Sequence, residues 1–340
     1  MDNHFTGIVY NTNSIMELYR SLDVIIPVYN EATTFESLFE RLEQVFLRQS
    51  LESSHLRSVR FLFIDDGSSD GTPAMIADRI RGGWNAILFC LSRNFGHQAA
   101  VTAGLDHATA DLIAVIDADL QDPPELILDM IRRLDEGFDI VYGQRRKRQE
   151  PVYKKFLYFT FYRLCSFLSE VYLPVDAGDF CVMTRDAVFA LRQLPEKLRF
   201  HRGLRSWIGF RQCALPYDRP RRKLGVSKYT WPKLYALATD GIASLSIRPL
   251  RITQVLVFLS IVVTLVFVSL TSFAFLRSNK PDPYMGWFLA TQGLIAFTSS
   301  LQLFSLYILG AYIGRMYLEV KSRPSYIVMK TVSPPPLERS

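Results

Sequence analysis

The sequence predicts an α/β domain built on a mainly parallel sheet, followed by a C-terminal hairpin of two membrane-spanning helices. Three observations carry this. Short apolar runs alternate with helical stretches between Leu22 and Tyr142, the pattern of a parallel sheet covered on both faces. Thr253 to Leu276 and Gly286 to Gly314 contain no charged residue, and each exceeds the roughly 20 residues that cross the hydrocarbon layer. Acid-rich motifs follow the apolar runs, at the strand ends where open α/β folds place their ligands.

Residues 1–20 form a polar N-terminal extension, and the domain is assigned to 21–230. Its first strand is Val24 to Tyr29, with a helix from Thr34 to Arg48. Val59 to Ile64 is the second, with a helix after Gly71. Ala86 to Leu91 is the third, leading to a helix near Gln98 to His107. Leu112 to Ile116 and Asp139 to Tyr142 complete the set. Within 151–173, Phe156 to Leu173 carries Arg163 and Glu170 as its only charges. It reads as an interfacial amphipathic helix or as a buried helix of the domain. Residues 231–251 form a juxtamembrane amphipathic segment, with Tyr235, Leu237, Ile242, Leu245 and Ile247 interleaved among polar residues. The hairpin occupies 252–318, with spans at about 253–276 and 286–313, and 319–340 is a cytoplasmic tail. Three consecutive prolines after Lys330 predict disorder there.

The hydrophobic fraction is 49% and mean hydropathy +0.10, an apolar excess concentrated in the two spans. Arg248 and Arg251 precede the first span, and Arg315, Lys321 and Arg323 follow the second. The connection holds only Arg277 and Lys280 beside Asp282. The basic flanks are therefore expected in the cytoplasm. No basic n-region followed by an apolar h-region opens the chain, so no cleaved signal peptide is expected. The protein is read as a multi-pass protein of the inner (plasma) membrane with a cytoplasmic domain. Cys90, Cys165, Cys181 and Cys213 show no CxxC or Cys/His ligand spacing and read as reduced structural cysteines. The net charge of +6 gathers at Arg145–Arg148 and Arg219–Lys223. Without a nucleic-acid-binding motif, lipid headgroups or a phosphorylated substrate explain these clusters better than nucleic acid.

The motif with most chemistry is Asp117-Ala118-Asp119-Leu120-Gln121-Asp122-Pro123-Pro124. Two carboxylates one residue apart, with an amide oxygen two further on, are hard ligands suited to Mg²⁺ or Mn²⁺. Pro123 and Pro124 suit the first turn of a helix, and the competing reading of the acids is a capped strand-to-helix turn. Ile26-Pro27-Val28-Tyr29-Asn30-Glu31 ends the first strand with an aromatic that can pack on a base. Asp65-Asp66-Gly67-Ser68-Ser69-Asp70-Gly71-Thr72 ends the second with adjacent acids and a glycine turn. Neither GxGxxG nor GxxxxGK[ST] is present, which disfavours Rossmann and P-loop chemistry.

The ordered set VIIPVYNE, FIDDGSSDGT, LSRNFGHQAAVTAGLD and DADLQDPPE resembles family 2 glycosyltransferases with the GT-A fold. With GDF at 178–180, RGLRSWIGF at 202–210, RPRRKLGVSKY at 219–229, SLSIRPLR and YIGRMYLEVKSRPSYIV, the likeness is closest to the polyprenyl-phosphate glycosyltransferases. It covers nearly all of residues 22–328. The resemblance implies that Pro27, Tyr29, Glu31, Asp65 and Asp66 meet the nucleotide of a UDP- or GDP-sugar. It implies that Asp117, Asp119 and Gln121 bind the divalent metal, and that Asp119 and Asp179 are the catalytic positions, Asp179 near the reacting sugar. Arg202, Arg219, Arg222, Ser227 and Lys228 would meet phosphates, above all that of a polyprenyl phosphate such as undecaprenyl phosphate.

The expected reaction is inverting, metal-dependent transfer of one sugar to that lipid, with Asp179 orienting the sugar or aiding a proton transfer without being an obligatory base. Self-association into a homo-oligomer stays open. Two departures stand out. Cys181 follows Gly178-Asp179-Phe180 where relatives usually have Arg, which puts one phosphate contact in doubt. Ala311 replaces a common Glu before Arg315, which bears on packing of the second span. A processive polysaccharide synthase is disfavoured because no QxxRW motif is present. A non-catalytic scaffold or binding relative, and a lipid-sugar flippase, are the remaining alternatives.

Overall fold

The computed structural model describes residues 20–46, 56–146, 177–197, 199–218, 248–277 and 284–335. The four sequence-read parallel strands are present as β1 (Arg20–Val28), β2 (Leu56–Asp65), β3 (Ala86–Leu91) and β4 (Leu112–Val115). Between them lie α1 (Phe35–Phe46), α2 (Thr72–Arg81) and α3 (His97–His107), and α4 (Leu126–Asp135) follows β4. β5 (Ile140–Arg145), β6 (Ala177–Thr184), α5 (Arg185–Gln193), α6 (His201–Trp207) and β7 (Gln212–Tyr217) complete the central domain. Two long helices, α7 (Arg248–Arg277) and α8 (Tyr284–Val320), and a last strand, β8 (Val328–Val332), end the described chain.

One eight-stranded sheet runs in the order β7-β5-β6-β4-β1-β2-β3-β8. β1 pairs in parallel with β2 and β4, β2 with β3, and β5 with β7, while β6 runs antiparallel between β4 and β5. The two faces follow from the two-residue period of a strand. Leu22, Val24, Ile26 and Val28 of β1 pack with α1, α2 and α4, whereas Ile25 joins Ala100, Val101 and Leu105 of α3 and Val188 and Leu191 of α5. Both faces of β1 are thus buried, as its unbroken VIIPV run requires.

α3 lies unusually close to the sheet because residue 104 has no side chain. A Cβ on Gly104 would stand 2.2 Å from Cγ2 of Ile25. Gly104→Ala should therefore cost about 1–3 kcal/mol through overpacking, read as a lowered unfolding temperature. Ile25→Ala in the same chain should recover part of it, since the clash is with that side chain.

Three outcomes differ from the sequence reading. Pro123 and Pro124 precede α4, and their carbonyls accept from Leu126 and Ile127 N–H. They form the entry turn to the helix. The tail is partly ordered: β8 pairs antiparallel with β3, placing Lys330 opposite Cys90 and Thr331 opposite Phe89. Disorder after Lys330 thus fails for Thr331 and Val332, whose ladder bonds supply the partner that a disordered tail lacks. The second apolar helix also runs on through Glu319 to Val320, into residues assigned to the tail. Candidate spans are Ile252–Phe273 and Ala290–Val320, with mean hydropathy 2.6 and 1.6 and none of either window buried. α7 and α8 pack on each other. The segments 151–173 and 231–247 lie outside the described residues.

Candidate active site

Strands β1 to β4 all end at one edge of the sheet, and the loops leaving them are tied together. Asn30 N–H donates to Ser68 Oγ at 2.9 Å, and Ser69 N–H to Asn30 Oδ1 at 2.8 Å. Glu31 N–H donates to Thr72 Oγ1 at 2.9 Å, and Asp70 accepts from the N–H groups of Ala32 and Thr72. Ser69 to Thr72 thus do the work of a turn and helix start. Pro27 is buried, Tyr29 is exposed at the rim, and the Glu31 carboxylate accepts from Thr34 Oγ1 at 2.6 Å.

Asp65 and Asp66 are both buried, and burial pushes both carboxyls up. Asp65 Oδ1 accepts from Ser68 N–H at 3.1 Å. Asp66 uses one oxygen for Phe95 N–H, at 2.7 Å, and the other for Gly96 N–H, at 2.9 Å.

The carboxylate loop leaves β4 at the same edge. Asp117, Asp119 and Gln121 are partly exposed. Leu120 takes a left-handed conformation, φ +58°, uncommon for a residue with a branched side chain. Asp119 Oδ1 accepts from Gln121 N–H at 3.1 Å, closing a tight turn. Asp122 is buried and accepts from the Tyr217 hydroxyl, which fastens the loop to β7. Burial, with the charges of Asp122, Asp179 and Asp119 adding and His97 opposing, pushes the Asp117 carboxyl up to about 6. Among the described residues no cluster of three or more His, Cys, Asp or Glu side chains could hold a metal. The donor set still fits a hard divalent cation: Mg²⁺ is commonly held by one or two carboxylates and completed by substrate phosphates and water.

The opposite wall is set by strand register. Val115 pairs with Cys181 across antiparallel β4 and β6, so two residues on, Asp117 stands opposite Asp179 on the same face. That face carries α3, whose first residues are His97 and Gln98. His97 Nε2 lies 3.2 Å from Asp179 Oδ2 and 3.7 Å from Asp117 Oδ1. Gln98 Nε2 donates to Asp179 Oδ2 at 3.2 Å. From α6, Arg202 Nε donates to Asp179 Oδ1 at 2.9 Å and its terminal nitrogen to Oδ2 at 3.3 Å. Burial alone would raise the Asp179 carboxyl, but Arg202 and His97 outweigh it and hold the acid well below the usual range. Conversely, burial would lower the His97 imidazole, but Asp179 and Asp117 raise it to about 9. A carboxylate so fully occupied is a poor proton acceptor and a firm anchor.

Behind Asp179 lies a second polar layer. His201 is buried, with Nε2 2.9 Å from Thr102 Oγ1, and its backbone N–H donates to Gln98 Oε1 at 3.0 Å. Burial lowers its pKa to about 4, against about 6.5 in an unfolded chain. The unfolded state therefore takes up this proton first as pH falls. Stability should be lost between about pH 6.5 and pH 4, by roughly 3 kcal/mol in all. His201→Gln should flatten that acid limb of unfolding temperature against pH.

Cys181 faces the apolar cluster with Val101, Leu105 and Val115, and burial pushes its thiol up. Buried Arg205 lies beside it, donating to the Gly178 carbonyl at 3.3 Å, with its guanidinium 4.9 Å from the Tyr142 ring centroid. Position 181 is thus walled off from the loops at the edge, and a guanidinium is already supplied to this region from α6.

The structure brings Asp117, Asp179 and Arg202 into one connected cluster and places Asp119, Gln121, Tyr29, Asp65 and Asp66 at the same edge. Arg219, Arg222, Ser227 and Lys228 lie outside the described residues. Sequence reasoning gave no role to His97 or Gln98, although both stand within the RNFGHQ stretch. The available signal was a glycine followed by two polar side chains at a helix start.

Comparison with known proteins agrees with this geometry. The model of glycosyl transferase family 2 matches residues 23–190, which hold every one of these loops except that bearing Arg202. An uncharacterized glycosyltransferase of Synechocystis sp. is 38% identical over 308 residues, 90% of this chain and 94% of its own. A protein of Shigella flexneri, named SfII prophage-derived bactoprenol glucosyl transferase, is 33% identical over 91% of this chain and 98% of its own. Among solved structures, a mannosyltransferase from Pyrobaculum calidifontis covers 90% of the chain at 15% identity and a TM-score of 0.41, a likeness too low to bear on the chemistry. Because the relatives align over about nine-tenths of the chain, the likeness takes in far more than the carboxylate loops, and the chain belongs to glycosyl transferase family 2, with the α/β GT-A fold.

Proposed function

We propose that this glycosyltransferase moves a single sugar from a UDP- or GDP-sugar to a polyprenyl phosphate, undecaprenyl phosphate first among them, at the cytoplasmic face of the membrane. The observation that carries the reading is the meeting of two half-sites. The Asp117–Gln121 loop suits a nucleotide diphosphate with its cation, and the Asp179–Arg202 pair lies against it, bridged by His97 within 3.7 Å. The relatives named bactoprenol glucosyl transferases, aligned over about nine-tenths of the chain, support the lipid acceptor and put glucose first among candidate sugars.

The paired strands support the membrane arrangement. β8 follows the second apolar helix, yet pairs with β3 of the domain that precedes the first. Two crossings return the chain to the side it left, so a two-span hairpin leaves domain and tail together. The basic flanks place that side in the cytoplasm.

Asp117, Asp119 and Gln121 would hold Mg²⁺ or Mn²⁺, whose charge would offset that of the departing diphosphate. A phosphate monoester has its second pKa near ~6, so the acceptor is largely ionised at pH 7 and needs no base. Its oxygen forms a bond to the anomeric carbon as the bond to the diphosphate oxygen breaks. The electron pair leaves with the nucleoside diphosphate, and configuration inverts. Asp179, held ionised by Arg202 and His97, keeps those two cationic groups in place and orients the sugar. Arg202 is about one-third exposed at this edge, and its guanidinium is assigned to a phosphate oxygen of the reactants.

The test is transfer of radiolabelled sugar into organic-extractable lipid by purified protein. Undecaprenyl phosphate, Mg²⁺ or Mn²⁺ and a panel of UDP- and GDP-sugars are supplied, beginning with the glucose donors. Metal-dependent product from one donor is expected. Absence of product from the whole panel, with folded protein, would overturn the reading.

A further inference from the structure

We propose that Asp66 and His97 form a positioning relay that fixes Asp179 against the Asp117 loop, so that Asp66 acts on transfer through His97. The kinetic part rests on the function proposed above; the structural part does not.

The relay begins with the two hydrogen bonds that Asp66 accepts from the backbone of Phe95 and Gly96, one to each oxygen. The loops approach so closely that residue 67 must lack a side chain. A Cβ on Gly67 would stand 2.6 Å from the carbonyl carbon of Arg93 and 2.7 Å from Asn94 N, and its φ is +73°. The next residue after this anchor is His97, the first of α3. Its side chain is 42% exposed, so packing alone does not hold the ring. The backbone that Asp66 grips sets where the imidazole stands.

From there Nε2 faces two carboxylates that strand register brings opposite each other, Asp179 at 3.2 Å and Asp117 at 3.7 Å. The Nε2–H donates to Asp179, and Asp117, beyond hydrogen-bond reach at 3.7 Å, rests against the same nitrogen, so the position of the ring sets the gap between the two carboxylates. Asp117 belongs to the donor half-site and Asp179 to the half with Arg202. Their spacing therefore sets how the two reactants meet, and a misplacement of about 1 Å can cost about a hundredfold in rate.

The experiment uses the full-length protein in lipid nanodiscs, comparing wild type with Asp66→Asn, His97→Ala, His97→Gln and the double variant Asp66→Asn/His97→Ala. Two readouts are taken: steady-state sugar transfer, and hydrogen–deuterium exchange of residues 93–97. Asn at 66 has one acceptor oxygen in place of two, so the Phe95 and Gly96 amides should exchange faster in Asp66→Asn and stay protected in His97→Ala. Each of these variants should lower kcat by about 10- to 100-fold, with KM for the nucleotide sugar within about twofold of wild type. The double variant should be no slower than the poorer single one. His97→Gln, which keeps an N–H donor, should recover most of the rate.

Multiplicative losses would overturn the relay. So would a raised KM with kcat kept in Asp66→Asn, which would make Asp66 a direct nucleotide contact, or a wild-type rate for His97→Ala. If the wild type transfers no sugar, the proposed function fails and exchange alone decides. Amides at 95–96 that are slow in wild type and fast in Asp66→Asn uphold the anchor; equal exchange in the two overturns it.

Discussion

Asp119→Ala is expected to lower sugar transfer by about 10³-fold or more, whereas Asp179→Asn should leave a rate only about 10- to 100-fold below wild type. The asymmetry follows from what each carboxylate does. Asp119 is partly exposed and closes the turn around left-handed Leu120. On the proposed function, its removal would take a ligand from the cation, and it would loosen the loop that presents Asp117. Charge compensation for a departing diphosphate is a transition-state term, for which loss of even one well-placed group costs about 10²–10³-fold. Asp179 is already occupied by Arg202, His97 and Gln98 and held well below the usual carboxylate range. The acceptor phosphate brings its own negative charge, so no base is missed. Asparagine keeps an oxygen for Arg202 and loses the charge that steadies the two cations. Both variants are assayed by labelled lipid product at saturating donor, with unfolding temperatures measured beside them. Equal and complete loss in both folded proteins would make Asp179 an obligatory catalytic group and refute this division of labour.

The half of the site that is local in sequence was legible in the residues themselves, whereas Asp179 and Arg202 were named only through the family resemblance and His97 not at all. Asp117 and Asp119 announce themselves because their spacing and the apolar run before them are contiguous. The same holds for Asp65 and Asp66 after β2. His97 and Asp179 are 82 positions apart in the chain. They meet only because β6 enters the sheet antiparallel beside β4, with Val115 opposite Cys181. β6 itself gave no strand signal, since a glycine and an aspartate interrupt its opening, Ala177-Gly178-Asp179-Phe180, even though all but its last residue are buried. β8 failed for the opposite reason. It is a partly exposed edge strand with a lysine at its centre, Val328-Met329-Lys330-Thr331-Val332, and charge on an edge is how sheets discourage further pairing. Followed by prolines, such a segment reads as tail. The two long apolar helices, candidate spans by length and composition, were legible at once, because each contains an unbroken uncharged run.

Truncation after Arg323 should destabilise the domain by roughly 3–5 kcal/mol, from a handful of strand bonds worth about 1 kcal/mol each, and lower its unfolding temperature by about 10 °C. The segment is tied to the domain at several points. The Ser325 hydroxyl donates to the Lys197 carbonyl at 3.3 Å. The Tyr326 hydroxyl donates to Asp106 of α3 at 3.0 Å, and Ser92 N–H donates to the Ile327 carbonyl at 2.9 Å. β8 then covers β3. Without it, Leu88 to Leu91 would form an open apolar edge, the kind that pairs with other chains and aggregates. The effect should reach the chemistry as well, because Ser92 begins the loop whose Phe95 and Gly96 are gripped by Asp66. Lys330→Pro, which removes one strand N–H and leaves the rest of the tail, should give the same changes in smaller measure. Unfolding by near-UV circular dichroism and the transfer rate are measured on all three proteins in one detergent. A truncated protein that unfolds and turns over like wild type would show that β8 merely rests on the sheet. The expected joint loss would show that the chain leaving α8 helps to hold the edge on which the candidate site is built.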